Sequence, residues 1–257
     1  MRLSKINIAV MLLLFVFLKA NTIQTVEVGI DEKLGDTIPL DEEFTNSYGE
    51  KVKLADIADR PFLLTLVYYE CPGICSPMLG EVAWVADRID LVPGEDFKII
   101  TLSFNPREGI EQSSKARQNY PEAIKRNFPD SAWVFLTGDS LNIKKITDAV
   151  GFHYKPAGND FTHAFAMIAI SPKGKIARYI YGSDYNQFDV KMALLDAESG
   201  KSNPTIAKVL QLCYSYDPEG RGYTLNITRI VGTIMLLTIG IFATVLVVKG
   251  RKKKSRS

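Results

Sequence analysis

Hydrophobic positions along the chain fall into short unbroken runs, separated by stretches with helical spacing. FLLTLVYY (62–69), FKIITLSF (97–104) and AWVFLTG (132–138) carry almost no polar residue on either alternating face, the pattern of strands buried inside a sheet. Between the first two, MLGEVAWVADRI has helical periodicity, with Ser76 predicted as its N-cap and Pro77 in its first turn. Between the second and third, EQSSKARQNYPEAIKRNF predicts a helix that Pro121 must kink or divide. Ser140 opens a further helix over LNIKKITDAV, which stops at Gly151. HAFAMIAI and KIARYIY, joined by SPKG with Pro172 and Gly174 at the turn, predict an antiparallel hairpin, and a last helix covers 187–198.

Strands that alternate with helices and close on a hairpin predict an α/β fold: a mixed sheet with helices on both faces, the layer plan of a thioredoxin-like domain. No internal repeat or low-complexity block interrupts it.

The two ends depart from this pattern. Residues 1–20, MRLSKINIAVMLLLFVFLKA, place Arg2 and Lys5 ahead of an uncharged run, the layout of a signal peptide cleaved near Ala20. From Ile230 to Val248 there are 19 residues without a charge, and at about 1.5 Å of rise each they match the hydrocarbon core of a bilayer. A transmembrane helix is expected over 229–249. The basic tail at 250–257 holds it with the C-terminus in the cytoplasm and residues 21–225 as an extracytoplasmic, periplasmic domain of an inner-membrane protein. The charge balance of the chain, 31 Lys and Arg against 29 Asp and Glu, excludes nucleic acid as the main partner.

That topology sets the redox environment of the three cysteines, since outside the cytoplasm paired thiols become disulfides unless a metal or a reductant holds them. Cys71 and Cys75 form a C-x-x-x-C pair at a strand end entering a helix, where sites gather in open α/β sheets and a helix N-terminus favours thiolate. The spacing alone is compatible with a soft-metal site or with a reactive disulfide. Cys213, in LCYSYDPEG, has no neighbour in sequence and reads as a buried small residue. Of the two histidines, His163 in GNDFTHAFAMIAI stands at the entrance to a strand beside the one that leads to the cysteines, while His153 follows a helix end. His163 is the better third ligand.

With ECPGICSPML and GNDFTHAFAMIAISPKGKI in place, and Cys71 and His163 separated by 92 positions, the chain resembles the Sco/SenC family of copper-binding proteins that help assemble cytochrome c oxidase. The resemblance covers nearly the whole soluble segment. It implies a thioredoxin-like fold, Cys71, Cys75 and His163 as ligands of copper, as Cu(I) or Cu(II), and a copper chaperone rather than an enzyme. It also implies cytochrome c oxidase subunit II as acceptor, with an upstream copper donor. The C-terminal span after CYSYDPEGRGY resembles a C-terminally anchored subgroup. One departure is Asn105 in TLSFNPRE, where the family usually has an aspartate before the proline. Met78, one turn beyond Cys75, is expected to pack against the sheet rather than to bind metal. The competing reading is a thiol-disulfide reductase with Cys71 attacking and Cys75 resolving. Against it stand the extra residue between the cysteines, His163, and Thr162 where such reductases place a proline.

Overall fold

The structure, a computed structural model, describes residues 28–203 apart from positions 72, 74, 159, 183 and 184, together with 214–217, 222–225 and positions 235, 238 and 239. The predicted signal peptide, the predicted transmembrane helix with its basic tail, and Cys213 lie outside the described residues or almost wholly so. Among the described residues no helix is long and apolar enough to cross a membrane.

Four short elements come first: β1 (Gly29–Ile30), β2 (Glu43–Asn46), β3 (Lys51–Lys53) and α1 (Leu54–Ile57). The three apolar runs then become β4 (Phe62–Val67), β5 (Lys98–Ser103) and β6 (Trp133–Thr137), with α2 (Cys75–Arg88) and α3 (Ile110–Asn119) between them. The chain continues through α4 (Ser140–Ala149), β7 (Phe152–Ala157), β8 (Asp160–His163), β9 (Ala166–Ile170), β10 (Ile176–Tyr181) and α5 (Gln187–Glu198). A separate hairpin, β11 (Tyr214–Asp217) with β12 (Gly222–Leu225), follows.

Seven strands form one mixed sheet in the order β10-β9-β4-β5-β6-β2-β3. β4, β5 and β6 are parallel, β9 and β10 add an antiparallel pair on one side, and β2 and β3 add another on the other. β4 therefore has neighbours on both edges, and every one of its residues is buried, which is why its sequence shows no polar alternation. α3 packs on β6, and α5 on β10 and β9. The result is the expected thioredoxin-like α/β architecture, a mixed sheet flanked by helices.

Several predicted boundaries shift. α2 starts at Cys75 itself, so Ser76 is not its cap; the Ser76 hydroxyl is instead 3.0 Å from the Tyr120 hydroxyl. Pro121 ends α3 and opens a separate 3-10 turn, Pro121–Ala123, as its missing N–H requires. Asp139 caps α4, its carboxylate accepting the N–H groups of Leu141 and Asn142 at 2.9 Å each. Gly151 follows α4 in the left-handed region, φ 63°, where an added Cβ would lie 1.8 Å from the Asp31 carbonyl oxygen.

The hairpin β9–β10 forms as expected, but its first strand begins at Ala166 and not at His163. His163 closes β8 of a second, three-stranded sheet ordered β1-β7-β8, which the hydrophobic pattern did not reveal.

One polar network ties the parallel strands together inside the core. Thr65 on β4 and Thr101 on β5 face each other with hydroxyl oxygens 2.7 Å apart, and the Trp133 indole N–H donates to Thr101 at 2.8 Å. Each of the three is almost fully buried. Thr101→Val would strand both the indole N–H and the Thr65 hydroxyl, and two buried groups without partners should cost about 2–4 kcal/mol. Chemical denaturation checks this, and a variant as stable as the parent would remove the network from the account of the core.

Candidate metal centre

Sheet topology decides which loops meet. Because β4, β5 and β6 are parallel, the segments leaving them emerge at one end of the sheet. β9 runs antiparallel to β4, with Thr65 opposite Met167, so β9 begins where β4 ends. The residues just before β9, which include His163, are thereby carried alongside those just after β4, which include Cys71.

Two tyrosines fasten the start of the cysteine loop. The Tyr68 ring turns toward the β8 side, its centroid 5.8 Å from His163, 5.5 Å from Phe104 and 5.3 Å from Phe161. Tyr69 turns the other way and sends its hydroxyl to the carbonyls of Leu136, at 2.9 Å, and Thr101, at 3.1 Å. Burial, reinforced by the nearby negative charge of Glu108, pushes the Tyr69 phenol well above its ordinary range, so it stays a donor throughout the physiological range.

Cys71 follows, half-buried and packed against the core, with its N–H on the Tyr68 carbonyl at 3.3 Å. The Gly73 N–H lies 3.4 Å from the Cys71 sulfur, a donor placed on the position that a thiolate would occupy. Cys75 is the first residue of α2, whose N-terminal dipole end thus faces this loop. The side chain of Cys75 lies outside the described residues.

His163 is buried, 5% exposed, in a nest of rings: Phe165 at 4.5 Å, Phe104 at 4.9 Å, Tyr68 at 5.8 Å and Phe152 at 6.1 Å between centroids. Its Nδ1 is 2.9 Å from the Ala164 carbonyl oxygen. A carbonyl only accepts, so in the neutral ring Nδ1 carries the proton and Nε2 keeps a lone pair for a metal or a donor. Among the described residues, no three His, Cys, Asp or Glu side chains form a metal-holding group; the expected third member, Cys75, is not among those side chains.

The remaining candidates separate cleanly. His153 pairs with Gly29 on β7, between Phe152 and Tyr154, the two ring neighbours of Phe104, and strand alternation therefore turns it to the opposite face. Met78 is fully buried in the core, as expected.

Phe104 and Glu108 escaped sequence reasoning, and Asn105 was read there only as a missing acid. Phe104, directly after β5, is the centre of the ring cluster, touching Tyr68, Phe152, Tyr154, Phe161 and His163. Asn105 is buried, and its side-chain oxygen accepts the Arg107 backbone N–H at 3.1 Å and the Arg107 side chain at 3.3 Å, so an amide does the turn-forming work at this position. Glu108 is a buried carboxylate that accepts the backbone N–H groups of Tyr69 and Glu70.

A thiol just past the carboxyl end of a parallel strand, a helix N-terminus and a shielded imidazole lie at the same end of a thioredoxin-like mixed sheet. The SCO1/SenC family model matches residues 34–194, more than half of the chain, and the chain belongs to that family. Among solved structures, a candidate electron transfer protein from Aquifex aeolicus VF5 is 29% identical with a TM-score of 0.60, over 65% of this chain and 95% of that one. A candidate electron transport protein from the same organism is 25% identical, with a TM-score of 0.55 over 65% and 99% of the two chains. A structure of Arabidopsis thaliana ScoI with copper bound is 18% identical, with a TM-score of 0.51 over 64% and 97%, a likeness of fold. No curated protein matches the chain in sequence.

The ring geometry makes a spectroscopic prediction. In long-range 1H–15N spectra of the metal-free protein, the neutral form of the His163 ring should carry its proton on Nδ1, held by the Ala164 carbonyl. A spectrum showing the proton at Nε2 would contradict the assignment of Nδ1 as the protonated nitrogen.

Proposed function

We propose that this chain is a copper-binding chaperone, with Cys71, Cys75 and His163 as the ligands of its cargo and cytochrome c oxidase subunit II as the acceptor. The observation that carries the reading is the meeting of the Cys71 loop and His163 at one edge of the sheet, in a chain that belongs to the SCO1/SenC family. The donor set suits the metal: thiolates favour Cu(I), imidazole accepts Cu(II), and two sulfurs with one nitrogen serve either state. The copper-bound Arabidopsis thaliana ScoI structure is consistent with this chemistry on the same fold.

The residues around the ligands have distinct tasks. The Ala164 carbonyl holds the His163 ring in its donor tautomer, and the surrounding rings keep water from that side of it. The loop side stays accessible, since Gly73 and Ser76 are exposed. Transfer then proceeds by ligand exchange: imidazole leaves first because it binds Cu(I) less firmly than thiolate, and acceptor sulfurs replace the cysteines. We further propose that residues 21–225 form an extracytoplasmic domain, tethered to the inner membrane by a C-terminal helix at 229–249 after removal of a signal peptide at 1–20. An upstream protein would supply the copper.

A second reading, a thiol-disulfide reductase, draws on the start of α2 at Cys75, which sets the cysteine pair at a helix N-terminus, where thiolate is favoured. The two readings part at His163, which only the chaperone needs.

Full-length protein should bind one Cu(I) per chain in competition with a chelator. Cys71→Ala, Cys75→Ala and His163→Ala should each weaken binding by orders of magnitude, and His153→Ala should leave it unchanged. Metal-free protein that rapidly reduces an oxidised acceptor domain, combined with loaded protein that never passes copper on, would replace the chaperone by the reductase. For the topology, protease added to intact spheroplasts should remove the domain and spare a tag placed after Ser257. Digestion of the tag with survival of the domain would reverse the orientation.

A further inference from the structure

β4 ends at Val67, so the backbone of the next residues leaves the ladder of strand hydrogen bonds before it reaches Cys71. The amides of Tyr69 and Glu70 find their acceptor in one side chain. Glu108 Oε2 accepts the Tyr69 N–H at 2.8 Å, and Oε1 accepts the Glu70 N–H at 2.9 Å. Ser103 donates its hydroxyl to Oε2 at 2.5 Å. Glu108 is 6% exposed, and a carboxylate so buried is tolerated only where donors match its oxygens, as these three do.

The carboxylate is itself held in place. Its own N–H donates to the Asn105 carbonyl at 3.1 Å, and the Asn105 N–H donates to the Ser103 hydroxyl oxygen at 3.1 Å, closing a small ring of bonds around the turn. A second tie runs beside it: the Gln112 side chain accepts the Gly109 N–H at 3.0 Å and donates to Glu70 Oε1 at 3.2 Å. The start of α3 therefore grips the two residues that precede Cys71 from one direction, while the Tyr68 and Tyr69 rings anchor them to the sheet.

We propose that Glu108 is a positioning residue for Cys71: its carboxylate clamps two consecutive backbone amides and so sets where the thiol is presented to His163. The chemistry calls for a carboxylate. Glutamine would turn an NH2 group toward one of the two amides, replacing a hydrogen bond by two opposed donors, and aspartate is one methylene too short to reach both without drawing the loop inward. The proposal rests on the metal-site reading of Cys71 for its copper readout, and on the fold alone for its thiol readout.

The test uses full-length protein carrying Glu108→Ala or Glu108→Gln, with Val190→Ala, a buried position on α5 away from the clamp, as a control for general destabilisation. In chelator competition, Glu108→Ala should lose about 10–100-fold in Cu(I) affinity, Glu108→Gln less, and Val190→Ala nothing. In a Cys75→Ser, Cys213→Ser background without metal, alkylation of Cys71 should accelerate severalfold in the Glu108 variants and not in the control. Should Glu108→Ala fail to fold, Glu108→Gln carries both readouts. If the parent binds no copper yet alkylation accelerates, the metal reading fails and the clamp stands. Alkylation unchanged in the Glu108 variants overturns the clamp whether or not copper binds.

Discussion

The antiparallel seating of β9 against β4 is the constraint on which the rest depends. Thr65 opposite Met167 brings the entrance of one strand to the exit of the other, and from that register Tyr68, at the start of the cysteine loop, and His163 become ring neighbours although far apart in sequence. The register is enforced by burial. β4 and β9 have no exposed residue, so a slip by one position would rotate each side chain of β9 to the other face of a fully packed sheet. A metal or thiol site built this way inherits its precision from the core, and the loops need only small local ties to finish the geometry.

Those ties are polar and sit where the sheet stops. Inside the sheet, Thr65, Thr101 and Trp133 satisfy one another without any charge. At its carboxyl end a buried carboxylate takes over, because backbone amides that leave a strand need acceptors and no neighbouring strand is there to supply them. The rings on the other side of the cysteine loop serve a different end. Phe104 packs against five aromatic partners and surrounds the imidazole with apolar volume, lowering the local polarity around a nitrogen donor.

Much of this was legible in the sequence, and the parts that were not share a cause. β4, β5, β6 and the β9–β10 hairpin were readable because most of their residues are buried and leave long apolar runs, and α5 matched its predicted span at Gln187–Glu198. β7 and β8 were not, since FHYKPA and DFTH lie at a margin where only their ends are buried, and neither shows an alternation of period two. The candidate ligands were visible as a cysteine pair and one of two histidines. Glu108 was invisible because a glutamate in a polar loop reads as a solvated charge until the amides of Tyr69 and Glu70, which have left the strand ladder, are seen to donate to it. Asn105 looked like a missing acid, whereas its amide oxygen performs the turn closure that the position requires.

The imidazole at position 163 has a second occupation. Enclosed by Phe165, Phe104, Tyr68 and Phe152, it fills space in the interior as an aromatic core residue does. Replacing it with a small side chain opens a void among those rings as well as removing a lone pair, so intolerance of substitution there has two independent origins. A phenylalanine at the same place would restore most of the volume and none of the basicity, which makes the two demands on this single side chain separable.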